Sequence, residues 1–186
     1  MMLKNTHIIG LTGTLGAGKG TVANYLQEKG YAYTSCSDYL RKELRKLGTE
    51  ENVDNLKALG DSLREKHGPG YITEELLKTI IGPTIVDSLR HPGEILALKK
   101  NSNSFTLIAV DAPIEIRYER VKARKRAGDM VSFDVFTRQE KDQMEGKGGQ
   151  IQLKECFKLA DYQLVNDQDI SSLYHKVNQI LKLVTH

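Results

Sequence analysis

Short apolar runs alternate along this chain with longer stretches in which leucine, isoleucine and valine recur at spacings of three and four. Residues 7–12, 31–34, 83–87, 105–110 and 162–165 have the length and β-branched content of buried strands, and Phe-Thr-Leu-Ile-Ala-Val at 105–110 is the clearest central one. The spacing predicts a helix over 19–29 ended by Gly30, and another over 37–47 in which Leu40, Leu44 and Leu47 share a face and Ser37 or Asp38 is the cap. A third helix over 55–66 carries Leu56, Leu59 and Leu63 and is closed by Gly68-Pro69-Gly70; a fourth follows with Ile72, Leu76, Leu77 and Ile80. These last three helices succeed one another without a strand and read as an inserted segment. Further on come a brief helix at 91–100, a turn at Asn101-Ser102-Asn103-Ser104, and a helix that starts at Pro113 and carries Arg117, Arg120, Arg124 and Arg126. A break at Gly128-Asp129 precedes a helix over 133–144, a flexible joint at Gly146-Lys147-Gly148-Gly149, a helix over 151–159 and a terminal helix over 171–183. Strands alternating with helices in this way build a parallel sheet covered on both faces, so the expected fold is a three-layer α/β/α sandwich with five strands.

Length agrees, since 186 residues fill one such domain and are too few for two ordinary ones. The single domain is taken to span 1–186. With 27 basic and 24 acidic residues the net charge is only +3, which by itself demands neither nucleic acid nor an anionic surface. No apolar run approaches the length of a membrane span, and the N-terminal residues lead straight into the first strand, so a cytoplasmic protein is expected. Cys36 and Cys156 show no ligand or disulfide spacing and read as buried thiols.

The chemistry starts at Gly13-Thr14-Leu15-Gly16-Ala17-Gly18-Lys19-Gly20-Thr21, where the first strand turns through glycines into a helix. Successive backbone N–H groups can point inward there, the helix presents its positive end, and Lys19 adds a point charge: a phosphate-binding loop. The general pattern places a Mg²⁺-binding hydroxyl directly after the lysine; here Gly20 stands in that position and Thr21 comes one place later. A dinucleotide fingerprint fails on spacing, because its third glycine would fall at Thr21.

In a parallel sheet, ligands gather beyond the carboxyl ends of the strands. After the second predicted strand come Asp38 and Arg41, a carboxylate and a guanidinium able to clamp phosphate. After the third come Asp87, placed to hold Mg²⁺ through water, and Arg90. After the fourth come Arg117, Arg120 and Arg124, whose spacing suggests one helix face, and Arg120 and Arg124 are the candidates to stabilise a transferring phosphoryl group, with Arg138 beside them. Asn166 follows the fifth.

The loop G-x-x-G-x-G-K-G-T resembles that of adenylate kinase and related nucleoside monophosphate kinases. The stretches S-D-x-L-R (37–41), L-G-D-x-L-R-E (59–65), V-D-S-L-R-x-P-x-E (86–94), V-D-A-P-x-E-x-R-x-x-R (110–120) and L-A-D-Y-x-L-V-N-D (159–167) extend the likeness over essentially the whole chain. It resembles P-loop nucleotide kinases of the adenylate-kinase-like and dephospho-CoA-kinase-like branch. The resemblance implies ATP and Mg²⁺ as cofactors, with Gly13, Gly16, Ala17, Gly18, Lys19, Gly20, Thr21, Arg120 and Asn166 around ATP and Thr21 and Asp87 toward the metal. It implies a helical acceptor-binding segment at 35–82 and a lid at 125–150. Arg41 inherits the grip on an acceptor phosphate, and so does Arg90, which arrives one residue earlier than in D-G-F-P-R; Ser37 stands where the family's [ST]-G-D-x-L-R has glycine. Lys19, Arg120, Arg124 and Asp38 are the expected catalytic residues. The implied reaction is phosphoryl transfer to a (deoxy)nucleoside monophosphate. A dephospho-CoA kinase, in which Asp38 would take a proton from a ribose hydroxyl, and a nucleotide-binding regulator or slow NTPase are the alternatives. The partner is a small nucleotide, with no nucleic acid or membrane expected and a monomer or homodimer as the assembly.

Overall fold

The computed structural model describes residues 3–124 and 131–184, with side chains from His7 onward. Arg126 and the Gly128-Asp129 break lie outside the described residues. The strands are β1 (Leu3–Gly13), β2 (Ala32–Ser35), β3 (Thr84–Leu89), β4 (Ser102–Asp111) and β5 (Tyr162–Val165). The helices are α1 (Lys19–Glu28), α2 (Cys36–Lys46), α3 (Val53–His67), α4 (Tyr71–Leu77), α5 (Pro92–Asn101), α6 (Ile114–Arg124), α7 (Phe133–Met144), α8 (Leu153–Lys158) and α9 (Ile170–Val184). The strands form one parallel sheet in the order β2-β3-β1-β4-β5, as the alternation of runs requires.

Alternation along the central strands sorts two apolar cores to the two faces. Ile9, Leu11, Ile108 and Val110 pack with α1 and α9, while Ile8, Val86 and Leu107 pack with α2, α4, α5 and α8. Both sides of the sheet are therefore covered, which is why the central runs are almost continuously apolar. Cys36 and Cys156 lie buried in the second core, where burial pushes both thiols up.

Three local expectations are corrected. The residues read as a turn at 101–104 instead finish α5 and start β4, because β1 reaches back to Leu3 and pairs its backbone with Ser102 and Ser104. Polar side chains do not prevent a strand when a neighbouring backbone takes its hydrogen bonds. The cap of α2 is Ser35, whose Oγ accepts the Asp38 N–H at 3.1 Å, so neither Ser37 nor Asp38 caps it. The glycine segment at 146–149 is pinned: Arg64 donates to the Gly149 carbonyl at 3.1 Å, and His91 Nε2 and Gln152 Nε2 lie 2.8 and 2.7 Å from the Gly148 carbonyl.

Candidate active site

The loop between β1 and α1 has Gly13, Gly16 and Gly18 at positive φ. A Cβ on Gly13 would stand 2.0 Å from the Val110 carbonyl oxygen, so both its conformation and its surroundings require glycine. Helix α1 begins at Lys19 with no side chain capping it, which leaves its first N–H groups facing the loop. Lys19 Nζ donates to the carbonyls of Gly13 and Thr14 at 2.8 and 3.0 Å. Burial pulls its ammonium from the usual 10.5 down to about 8; the Arg90 guanidinium adds to this, Asp87 opposes it, and Arg124 and Arg117 add smaller contributions. The loop thus concentrates positive charge that a polyphosphate would relieve.

Asp87 lies at the end of β3, where the strand inserts an extra residue between Gly10–Val86 and Thr12–Leu89 pairing. Ser88 takes φ 62° there. The Asp87 carboxylate, only 7% exposed, accepts the Ser88 N–H at 2.5 Å and the Tyr33 hydroxyl at 3.1 Å. Burial and Asp87 push the Tyr33 hydroxyl up, so it remains a donor to that carboxylate. Arg90 follows, its pKa lowered by burial, which the carboxylates of Asp87 and Glu94 oppose. Asp87 and Arg90 are therefore neighbours of Lys19 in charge as well as in topology.

Arg41 and Asp38 are paired with one another on α2 at 3.1 Å, and Arg41 also donates to Ser37 at 2.7 Å. Asp38 is 59% exposed and opens to solvent. Arg117, Arg120 and Arg124 lie within about 60° of one another round α6, on one face as the spacing suggests, but they differ in exposure. At 100° per residue Arg117 and Arg124 nearly coincide in direction while Arg120 lies about 60° round the helix. Arg117 is buried, Arg124 is exposed, and Arg120 is intermediate, with its Nη1 shielded from solvent and without a hydrogen-bond partner among the described residues. Arg138 is exposed on α7. Asn166 is buried and donates from its amide to the Ala17 carbonyl at 2.8 Å, so its side chain supports the loop from beneath. Gly20 has open space around it and Thr21 lies in the first turn of α1.

Sequence reasoning passed over two groups. Arg64 and Glu94 stand at the ends of separate motifs quoted above, and in space they are a buried ion pair: Arg64 Nη2 and Nε lie 2.9 and 3.0 Å from Glu94 Oε1, while Glu94 Oε2 accepts the N–H groups of Arg90 and His91. The Glu94 carboxylate thereby fixes the backbone that carries Arg90. Asp111, the last residue of β4, accepts the Thr14 hydroxyl at 2.6 Å and ties that strand end to the loop. Its position at a strand terminus was the available signal.

Among the described residues there is no cluster of three His, Cys, Asp or Glu that could hold a metal ion. Among them, too, no helix is long and apolar enough to cross a membrane.

A parallel five-stranded sheet with a glycine loop and lysine at the first strand's end defines a P-loop protein of the nucleotide-kinase-like class. Solved structures of similar fold include shikimate kinase from Bacteroides thetaiotaomicron (TM-score 0.61, 14% identity, 95% of this chain and 98% of that one). Dephospho-CoA kinase from Campylobacter jejuni is also similar (TM-score 0.53, 15% identity, 96% and 94%). The family model described as AAA domain matches residues 9–145. A UPF0200 protein of Sulfurisphaera tokodaii is 33% identical over 95% of this chain and 97% of its own length. A UPF0200/UPF0201 protein of Archaeoglobus fulgidus is 34% identical over 97% of this chain, which spans 56% of that longer protein. The chain belongs to that AAA domain family and to the UPF0200 family.

Proposed function

We propose that the chain transfers the terminal phosphoryl group of ATP, with Mg²⁺, to a small acceptor that already carries a phosphate, a (deoxy)nucleoside monophosphate being the best fit. The observation that supports this is Arg90: a guanidinium held beside Lys19 by a backbone that Glu94 fixes, its charge adding to that of the loop although Asp87 and Glu94 lie near it. A second anionic group next to the loop-bound phosphates would satisfy both cations.

In this reading the open N–H groups of the loop and Lys19 hold the outer phosphates, Arg120 offers an Nη1 that no described residue takes up, and Arg124 adds charge where the equatorial oxygens develop it. Arg41 is the further acceptor clamp, on the helical segment 35–82. Thr21 and Asp87 are the residues that would meet Mg²⁺, which supplies charge neutralisation across the transferring phosphates. Asp87 is held in one orientation by Tyr33 and Ser88. Residues 125–150 act as the lid that excludes water once both substrates are bound.

A hydroxyl acceptor is the second reading. It is favoured by Asp38, a carboxylate open to solvent that could take the acceptor's proton. ADP release from ATP and Mg²⁺ across ribo- and deoxynucleoside monophosphates and dephospho-CoA separates the readings, with Lys19→Ala as blank. Stimulation by a monophosphate supports the first, stimulation by dephospho-CoA alone supports the second, and slow release indifferent to every acceptor replaces both with a regulator.

A further inference from the structure

Arg117 is 3% exposed and makes contacts to three separate parts of the chain. Its Nε donates to the Ala112 carbonyl at 2.6 Å, its Nη1 to the Leu15 carbonyl of the phosphate loop at 3.4 Å, and its two terminal nitrogens meet both carboxylate oxygens of Glu140 on α7, Nη2 to Oε1 at 2.8 Å. Nε also lies 3.4 Å from Asp111 Oδ1, the oxygen that accepts the Thr14 hydroxyl. Phe136 of α7 is buried with its ring 6.0 Å from the guanidinium, and a narrow crevice between α7 and the loop is lined by Thr14, Leu15, Gln139 and Glu140.

A buried ion pair adds little stability over an apolar pair of equal volume, but a bidentate one fixes distance and orientation together. Here one guanidinium holds α7 and a loop carbonyl in the same rigid plane. We infer that Arg117 and Glu140 are positioning residues, a latch through which the placement of α7 sets the shape of the phosphate loop between Thr14 and Gly18. Lysine could not replace Arg117, since a point-charge ammonium cannot reach Ala112, Leu15 and both Glu140 oxygens at once. The inference rests on the phosphotransfer reading for its catalytic consequence, and on geometry alone for the coupling.

The test is hydrogen exchange of the loop amides, without nucleotide, in Glu140→Gln beside the unaltered chain, together with steady-state kinetics. The latch predicts loop exchange at least about tenfold faster in a folded variant. It also predicts a kcat about tenfold lower with the KM for ATP changed less than about threefold, because the lost contact orients the loop and removal of a nearby carboxylate offsets any loss of phosphate binding. Unchanged loop exchange in folded Glu140→Gln overturns the latch whatever the activity. Should that variant fail to fold, Arg117→Met with Glu140→Leu keeps an apolar contact in the same place; faster loop exchange again supports the latch, and wild-type exchange overturns it. If the unaltered chain phosphorylates no acceptor, the kinase reading fails while the exchange comparison still decides the latch.

Discussion

If the loop binds a polyphosphate, binding should take up protons, because Lys19 is only half-charged near pH 8 before the ligand arrives. Its folded pKa of about 8 lies below the usual 10.5, so protonated Lys19 costs the folded chain about 3 kcal/mol, a cost present below pH 8 and relieved as pH rises from 8 toward 10.5. Phosphate oxygens against the ammonium return its pKa to the ordinary lysine range or above. The difference between bound and free protonation is then about 0.1 proton at pH 7, about 0.5 at pH 8 and about 0.9 at pH 9, and affinity at pH 9 falls about tenfold below that at pH 7. Calorimetry of ATP binding in buffers of different ionisation enthalpy measures both quantities. Lys19→Met should show no such slope, and Arg90→Ala should move the midpoint upward, since the Arg90 charge is among the causes of the depression. Constant affinity from pH 7 to 9, with uptake below about 0.2 proton at pH 9, would refute the electrostatic account of the loop.

Glu94→Ala should cost about 3–5 kcal/mol in urea unfolding, because it leaves the buried Arg64 guanidinium with only the more exposed Asp61 carboxylate, 3.2 Å away, and two backbone N–H groups without the Glu94 acceptor; a loss below about 1 kcal/mol would mean that the pair is not what organises α3 against α5. Gly20→Ala meets nothing within 4 Å and sits in the first turn of α1, so it should raise stability by about 0.5–1 kcal/mol in thermal unfolding. An accompanying loss of ATP binding would show that the ligand approaches the backbone at this point.

How much was legible beforehand follows the range of the forces involved. The five strands, the parallel sheet and the phosphate loop depend on local patterns, the alternation of short apolar runs with amphipathic stretches and the glycines that permit positive φ at 13, 16 and 18, and these are written in neighbouring residues. The family resemblance was legible for the same reason, since its motifs are contiguous. The start of β4 at Ser102 was hidden because the partner that makes it a strand lies about a hundred residues away. Periodicity gave α6 its arginines but not their fates: Arg117 is drawn inward by Glu140, twenty-three positions later, while Arg124 stays exposed. Likewise Arg64 and Glu94 were visible as motif ends, yet only packing α3 against α5 makes them one buried pair. The sequence by itself determined which elements form and where a polyphosphate would be gripped. Tertiary structure alone decided which charges face one another, because charge pairing depends on distances of a few ångströms between segments far apart in the chain.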